Sequence, residues 1–365
     1  MRAAGTDLFF GIERMGLQVA RPVNVAIVGA TGAVGKALLE TLERRKFALA
    51  SLKLLASRRS AGITLDVGGR PHTVEEATPE AFDGVDIALF SAGGDVSLRL
   101  APEAARRGAL VIDNTSAFRM DPDVPLVVPE VNPEAIFRHK GIIANPNCST
   151  IQMVVALNPV YRRYGIVRIV VSTYQAVSGA GERAIAELRR TSAEHLSGEP
   201  VRAEVLPVAK LDRHYPLAFN VLPQIDVFEE NGFTKEEMKM VNETRKIFAD
   251  QRIAVTATAV RVPVFYGHSE SVYVETERPC SREDVMSLLQ AAPGVVVEDD
   301  PARQHYPHAL RAQGEFDVFV GRVRKDLTAE NGLLMWVVAD NIFKGAAWNA
   351  VQIAEAWLER EGSRR

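Results

Sequence analysis

Cys148 is one of only two cysteines in a chain of 365 residues, and it stands inside the run Asn145-Pro146-Asn147-Cys148-Ser149-Thr150. Residues 141–144 before the run are strand-like, and residues 151–157 after it are apolar and helix-compatible. A sulfur at that junction sits at or near a helix N-terminus, where unpaired N–H groups and the positive end of the helix dipole favour thiolate over thiol. The chemistry open to such a group is nucleophilic attack on a carbonyl carbon, in acyl transfer or aldehyde oxidation. A solitary cysteine is otherwise most often a small buried hydrophobe. The reaction further needs a group to exchange protons and groups to bind the substrate's charges.

Candidates for both lie elsewhere in the chain. Arg261-Val262-Pro263-Val264-Phe265-Tyr266-Gly267-His268-Ser269 closes a strand with an arginine and a histidine on either side of a Pro/Gly turn, a place where side chains converge on a cleft. Histidine exchanges protons near neutral pH, although a lone His268 reads equally well as a satisfied surface or core residue. Ser116-Ala117-Phe118-Arg119 follows a strand end, and Glu236-Glu237-Met238-Lys239 offers a carboxylate and an ammonium one helical turn apart. Arg119 and Lys239 together suit a phosphate; taken alone, Glu236 and Lys239 are an ordinary surface helix pair. His195, His214, His305 and His308 fall into no interpretable arrangement. Cys280, just before an N-cap at Ser281, is expected to be structural.

A second chemistry-bearing pattern opens the chain. A strand over 23–28 runs into Gly29-Ala30-Thr31-Gly32-Ala33-Val34-Gly35 and then a helix over 36–45. Glycines there let the backbone approach a pyrophosphate that the helix N-terminus stabilises. The spacing departs from plain GxGxxG, and a tight structural turn is the plainer alternative. At the end of the second strand an acidic residue would hold the ribose 2′-hydroxyl of NAD. Here the chain reads Ser57-Arg58-Arg59-Ser60, whose guanidinium and hydroxyl groups suit a 2′-phosphate, so charge favours NADP over NAD. A solvated basic loop is the other reading.

The elements that must position these groups follow a recognisable order. Strands at 23–28, 52–56, 85–90 and 109–113 alternate with helices over 36–45 and 95–107, as in a doubly wound parallel sheet of Rossmann type. That α/β domain is expected over 23–148. Longer strands at 167–172, 253–262 and 271–276, separated by helices, predict an α+β catalytic and dimerisation domain with a mixed or antiparallel sheet over 149–340. An amphipathic helix over 341–359, carrying Trp348, Ile353 and Trp357, is placed to return to the first domain, which residues 341–365 would complete. Residues 1–22 form no periodic element and read as a disordered leader or an over-long start, with Met15 as the initiator.

Bulk properties narrow the function classes. The chain exceeds the size at which one hydrophobic core stops growing, so two domains are expected. Lys+Arg (43) falls below Asp+Glu (46), which excludes a general polyanion-binding surface and hence a nucleic-acid partner. No apolar run approaches the roughly 20 residues of a membrane span. Without CxxC or a Cys/His cluster neither a disulfide framework nor a metal is expected, which fits a reducing, cytoplasmic setting.

With these residues assembled, the chain resembles the bacterial aspartate-β-semialdehyde dehydrogenases over residues 23–358. The resemblance rests on the glycine turn 29–35, Ser91-Ala92-Gly93-Gly94, Asp113-Asn114-Thr115-Ser116-Ala117-Phe118-Arg119 and Val128-Pro129-Glu130-Val131-Asn132. It extends through the cysteine run 145–150, Tyr174-Gln175-Ala176-Val177-Ser178-Gly179-Ala180-Gly181, Arg261-Val262-Pro263-Val264 with Gly267-His268, and Asp340-Asn341 with Lys344-Gly345-Ala346-Ala347. It implies NADP-dependent interconversion of L-aspartate 4-semialdehyde plus phosphate with L-4-aspartyl phosphate, in the biosynthesis of lysine, threonine, methionine and isoleucine.

By the same resemblance, Cys148 forms a thioester, His268 is the acid/base and Gln175 orients the substrate. Arg261 pairs with the α-carboxylate and Glu236 with the α-ammonium, while Arg119, Asn147 and Lys239 hold the phosphate. A small zwitterion carrying a phosphate demands that mixture of charges on chemical grounds too. For the cofactor the resemblance points to Gly29, Thr31, Gly32, Ala33 and Val34 at the pyrophosphate and Arg59, or Arg58, with Ser60 at the 2′-phosphate. Ser91 and Gly93, Ser178 and Gly179 near the nicotinamide, and Asn341 complete the set. Relatives of this kind are homodimers or homotetramers. The rival readings are an N-acetyl-γ-glutamyl-phosphate reductase, a glyceraldehyde-phosphate type of dehydrogenase, and a non-catalytic NADP-binding sensor or scaffold.

Overall fold

The computed structural model describes residues 21–363, with side chains through residue 360. The expected leader, apart from Arg21 and Pro22, and the alternative start at Met15 lie outside the described residues.

β1 (Val23–Val28) is buried at every position but Asn24, which suits a strand covered on both faces. It pairs in parallel with β2 (Leu49–Ala56) on one side and β5 (Ile87–Phe90) on the other. Between β1 and β2, α1 (Ala33–Arg44) buries Ala37, Leu38, Thr41 and Leu42 at helical spacing. A hairpin that sequence reading did not anticipate, β3 (Thr64–Val67) and β4 (Arg70–Glu76), extends the edge beyond β2; its turn is Gly68-Gly69, both at positive φ. After α2 (Gly94–Arg106), β6 (Leu110–Asp113) and β7 (Ile142–Ala144) finish a seven-stranded sheet of order β3-β4-β2-β1-β5-β6-β7. Only β3 runs antiparallel to its neighbour.

α3 (Cys148–Tyr164) leaves this sheet and becomes the core of the second layer. There follow β8 (Ile166–Gln175), α4 (Glu182–Ser197), α5 (Lys235–Ile247), β9 (Ala254–Arg261), β10 (His268–Thr276), α6 (Arg282–Gln290), β11 (Val295–Val297), α7 (Ala309–Ala312), β12 (Val318–Lys325) and β13 (Gly332–Ala339). Six of them make a mixed sheet of order β11-β12-β13-β10-β8-β9. β10 starts three residues earlier than expected, because His268 to Glu270 are already paired with β13 and His268's successors also with β8. One apolar cluster joins the two sheets through α3: Ala88 and Phe90 of the first, Ile151, Val154 and Leu157 of the helix, Val272 and Val274 of the second.

The final segment is not the single regular helix expected over 341–359. Phe343–Trp348 is a π-helix, and α8 (Asn349–Ser363) continues from it. A π-turn carries one more residue per turn, and here it turns Lys344 inward, fully buried, while Gly345 lies against Cys148. Val351, Ile353, Ala354 and Leu358 then pack with Val25, Ile27 and Leu38 in the core of the first sheet. No helix among the described residues is long and apolar enough to cross a membrane.

Candidate active site

Asn147 is the N-cap of α3, its Oδ1 accepting the Ser149 and Thr150 N–H groups at 3.0 and 3.3 Å. Asparagine at this position satisfies donors that the helix leaves free, and it makes Cys148 the first helical residue. The same side chain donates through Nδ2 to Glu236 Oε1 at 2.9 Å, so the cap is tied to α5. Cys148 is partly accessible, whereas Ser149 and Thr150 behind it are fully buried.

α5 presents three charged residues to this corner at spacings of i, i+3 and i+7. Glu236 accepts from Asn147, from Gln175 Nε2 at 3.2 Å and from Lys239 Nζ at 3.0 Å. Lys239 also reaches Asp226 at 3.3 Å. Glu243, which sequence reading passed over, accepts the Asn147 N–H at 2.7 Å and the Arg119 guanidinium at 3.0 Å. Arg119 further donates to the Asn145 and Asn114 carbonyls. The pair Glu236 and Lys239 is therefore no surface pair: Glu236 is buried and its partners come from three different elements.

Gln175 and Arg261 end the adjacent strands β8 and β9 in register, and His268 begins β10 beside them. Ala176 links these groups, accepting from Arg261 Nη1 at 2.7 Å and donating its N–H to His268 Nδ1 at 3.0 Å. Gly179 stands over the group: a methyl there would lie 3.2 Å from Arg261 Nη1 and 3.4 Å from His268 Nε2. All the catalytic and substrate-binding candidates, Cys148, Asn147, Gln175, Arg119, Glu236, Lys239, Arg261 and His268, thus gather around the N-terminus of α3.

Electrostatics sort their states. Burial pushes the Cys148 thiol up to about 12, reinforced by the Glu236 carboxylate; Arg119, Arg261 and the Ser149 N–H pull the other way without prevailing. The thiolate expected from the helix terminus is overruled by burial. Glu236 is opposite: burial would raise it, yet the Lys239 charge and hydrogen bonds from Asn147, Lys239 and Gln175 hold it down to about 2. Lys239, penalised by burial, is nonetheless raised by Glu236 and Asp226. Burial lowers Arg261, with Glu236 and Cys148 opposing.

His268 is fully buried, and burial followed by the Arg261 charge lowers it to about 3. It is a neutral ring at working pH. Since Nδ1 accepts the Ala176 N–H, the proton sits on Nε2, which has no partner among the described residues. An unfolded histidine takes up a proton near its ordinary 6.5 while the folded one resists down to about 3. This contribution to stability is therefore whole above pH 6.5 and is lost as pH falls through that window, by up to about 1.4 kcal/mol per pH unit. Glu236 adds loss in the same direction only below its ordinary 4.5. His268→Asn should flatten the stability slope between pH 6.5 and 4.5 by close to one proton in chemical denaturation. An unchanged slope would contradict the buried neutral imidazole.

The cofactor candidates lie at the turns that follow β1, β2 and β5 and around Ser178 and Asn341. Gly29 is at φ +91°, and a methyl on it would meet the Ser91 carbonyl carbon at 2.9 Å, so β1's turn and β5's end touch only because it is glycine. Gly32, directly after Thr31, is the N-cap of α1, and no side chain caps the first turn, which starts with Ala33 and Val34. Gly93 at φ +98° opens α2. Arg58 and Arg59 are exposed just after β2, neither in an ion pair among the described residues, with Ser60 beside them. These features fit a dinucleotide bearing an extra phosphate. Ser178 and Asn341 bond each other at 3.0 to 3.2 Å, and Asn341 also accepts the Gly267 N–H.

Comparison with known proteins supplies a second line of argument. Residues 24–139 match the family described as "Semialdehyde dehydrogenase, NAD binding domain" and residues 157–344 that described as "Semialdehyde dehydrogenase, dimerisation domain". The chain is 57% identical over 337 residues to a Bacillus subtilis aspartate-semialdehyde dehydrogenase, across 92% of this chain and 97% of that one. An Aquifex aeolicus protein of the same name is 57% identical over 343 residues, 93% and 98% of the two chains. Among solved structures, Vibrio cholerae aspartate semialdehyde dehydrogenase II complexed with ASA superposes with a TM-score of 0.89 at 52% identity, covering 93% and 99%. A Candida albicans aspartate semialdehyde dehydrogenase solved with NADP gives 0.71 at 26% identity, covering 92% and 98%.

Proposed function

Because this chain belongs to the aspartate-semialdehyde dehydrogenase family of oxidoreductases, we propose that it converts L-4-aspartyl phosphate to L-aspartate 4-semialdehyde and phosphate, reversibly, with NADP, in a cytoplasmic amino-acid biosynthetic route. The observation that carries the substrate is Glu236. Glu236 is buried and held ionised by Lys239; once Lys239 turns to the substrate phosphate the carboxylate calls for another cation, and the α-ammonium of an aspartyl compound supplies one. An N-acetylated amine does not, which disfavours the glutamyl-phosphate rival.

In this reading Arg261 takes the α-carboxylate and Glu236 the α-ammonium. Arg119, Lys239 and Asn147 turn to the phosphate in exchange for their present partners Glu243, Asp226 and Glu236. Cys148 attacks the acyl carbon, its S–H proton passes to the departing phosphate as the C–O bond breaks with the electron pair on that phosphate oxygen, and a thioester remains on the sulfur. His268, with its proton on Nε2, donates a hydrogen bond to the substrate oxygen where negative charge builds. Gln175 keeps the carbonyl facing that donor. Reduced NADP, when bound, supplies the hydride that converts the thioester to aldehyde. Gly29, Thr31, Gly32, Ala33 and Val34 would hold its pyrophosphate, Arg58 or Arg59 with Ser60 its 2′-phosphate, and Ser91, Gly93, Ser178, Gly179 and Asn341 its nicotinamide half. A homodimer or homotetramer assembled through the second domain completes the reading.

The test is phosphate-dependent reduction of NADP by purified protein with L-aspartate 4-semialdehyde, run beside N-acetyl-glutamate 5-semialdehyde. Turnover should require phosphate and prefer the first substrate by at least about 100-fold in kcat/KM, the discrimination imposed when Lys239 turns to the phosphate and no ammonium replaces it at Glu236. Glu236→Gln should erase most of that preference. Equal turnover of both aldehydes by the unaltered enzyme would refute the assignment.

A further inference from the structure

Glu270 lies on β10 two residues beyond His268, on the same side of the strand, and is fully buried. Neither of its carboxyl oxygens has a hydrogen-bond partner of normal geometry among the described residues. Among the described residues the polar side chain acting on it is Gln152, on α3 one turn beyond Cys148, and its effect opposes that of burial without prevailing. Gln152 is itself fully buried; its Nε2 donates to the His268 carbonyl at 3.3 Å, while its Oε1 is likewise without a partner. α3 packs directly on β10, so Cys148, Gln152, Glu270 and His268 form one corner seen from its inner side.

A carboxylate in such a place, with no cation near it, does not stay charged, and burial raises Glu270 well above the ordinary range. Once neutral it has one O–H to give. Gln152 acts on Glu270 from α3, and its Oε1 is a buried acceptor without a donor among the described residues. We propose that Glu270 is a protonated carboxylic acid that donates to Gln152, and that the pair holds the main chain of His268 so that Nε2 stays aimed at the oxygen of the substrate carried on Cys148. Glu270 is a positioning residue: it meets neither substrate nor cofactor, and acts through Gln152 and His268. Its consequence for turnover rests on the function proposed above, whereas its protonation does not.

Infrared difference spectra between the unaltered protein and Glu270→Gln at neutral pH test the first half. They should show the C=O stretch of a protonated carboxyl in the unaltered protein only, shifting in heavy water. Kinetics test the second. Glu270→Gln keeps an N–H donor toward Gln152 and should retain kcat within about threefold, while Glu270→Met, similar in shape but without a donor, should lose about tenfold or more in kcat with KM little changed. Absence of the carboxyl band overturns the proposal, as does a Glu270→Met enzyme with full kcat or a Glu270→Gln enzyme as impaired as Glu270→Met. If Glu270→Met does not fold, the infrared band and the Glu270→Gln kcat decide alone. An unaltered enzyme inactive on aspartate semialdehyde would instead count against the proposed function and leave the infrared result standing.

Discussion

Cys148→Ala is expected to lower phosphate-dependent turnover by at least about 10⁴-fold, because covalent capture of the acyl group has no substitute nearby. Ser149 and Thr150 offer hydroxyls, but both are fully buried behind Cys148. Stability should change little, by about 1 kcal/mol at most, since the side chain is partly accessible and makes no hydrogen bond that the fold needs. NADP affinity should also persist, as the glycine turn and the Arg58-Arg59 loop are untouched. Cys280→Ala is the matched control: that sulfur sits beside Thr276 and Lys325 at 3.9 Å, away from every group named in the reaction. Steady-state rates with both variants check this, and a Cys148→Ala enzyme retaining about a tenth of the activity would remove the thioester from the mechanism.

The second large effect belongs to a residue with no side chain. Gly345 of the π-helix faces Cys148 so closely that an added methyl would stand 2.6 Å from its Cβ and 3.1 Å from its Cα. Those atoms are fixed to the first turn of α3, so the conflict cannot be relieved by a rotamer change. Either the π-helix or Cys148 must move. Gly345→Ala is expected to cost about 1–3 kcal/mol in stability as overpacking does. A displacement near 1 Å at the sulfur should cost about 100-fold in kcat. Thermal melting and kcat measured together with the rate of Cys148 alkylation read out both effects; normal values of all three would show that the close approach has no consequence.

What could be read from the chain, and what could not, divides by distance. The strand, glycine turn and helix at 23–45, and the cap that places Cys148 at the start of α3, are local patterns whose residue types dictate the geometry. The hairpin over 64–76 was also local: Gly68-Gly69 between alternating residues is its signal, obscured by Pro71 inside the second strand. Glu243 had a fainter one, the spacing of i, i+3 and i+7 with Glu236 and Lys239 on one helix. By contrast, the ionisation of Cys148 depends on what closes over it. Residues nearly 200 positions later supply part of that cover, and burial outweighs the helix dipole by an amount no local pattern displays. The tautomer of His268 is decided likewise by a main-chain N–H just past the end of another strand.

α8 lies in the core of the first sheet although the whole second sheet precedes it in the chain. During synthesis, then, the ribosome releases strands β1 to β7 long before the helix that shields one of their faces. That half-covered sheet must wait, or be protected by chaperones, until roughly 200 further residues have emerged.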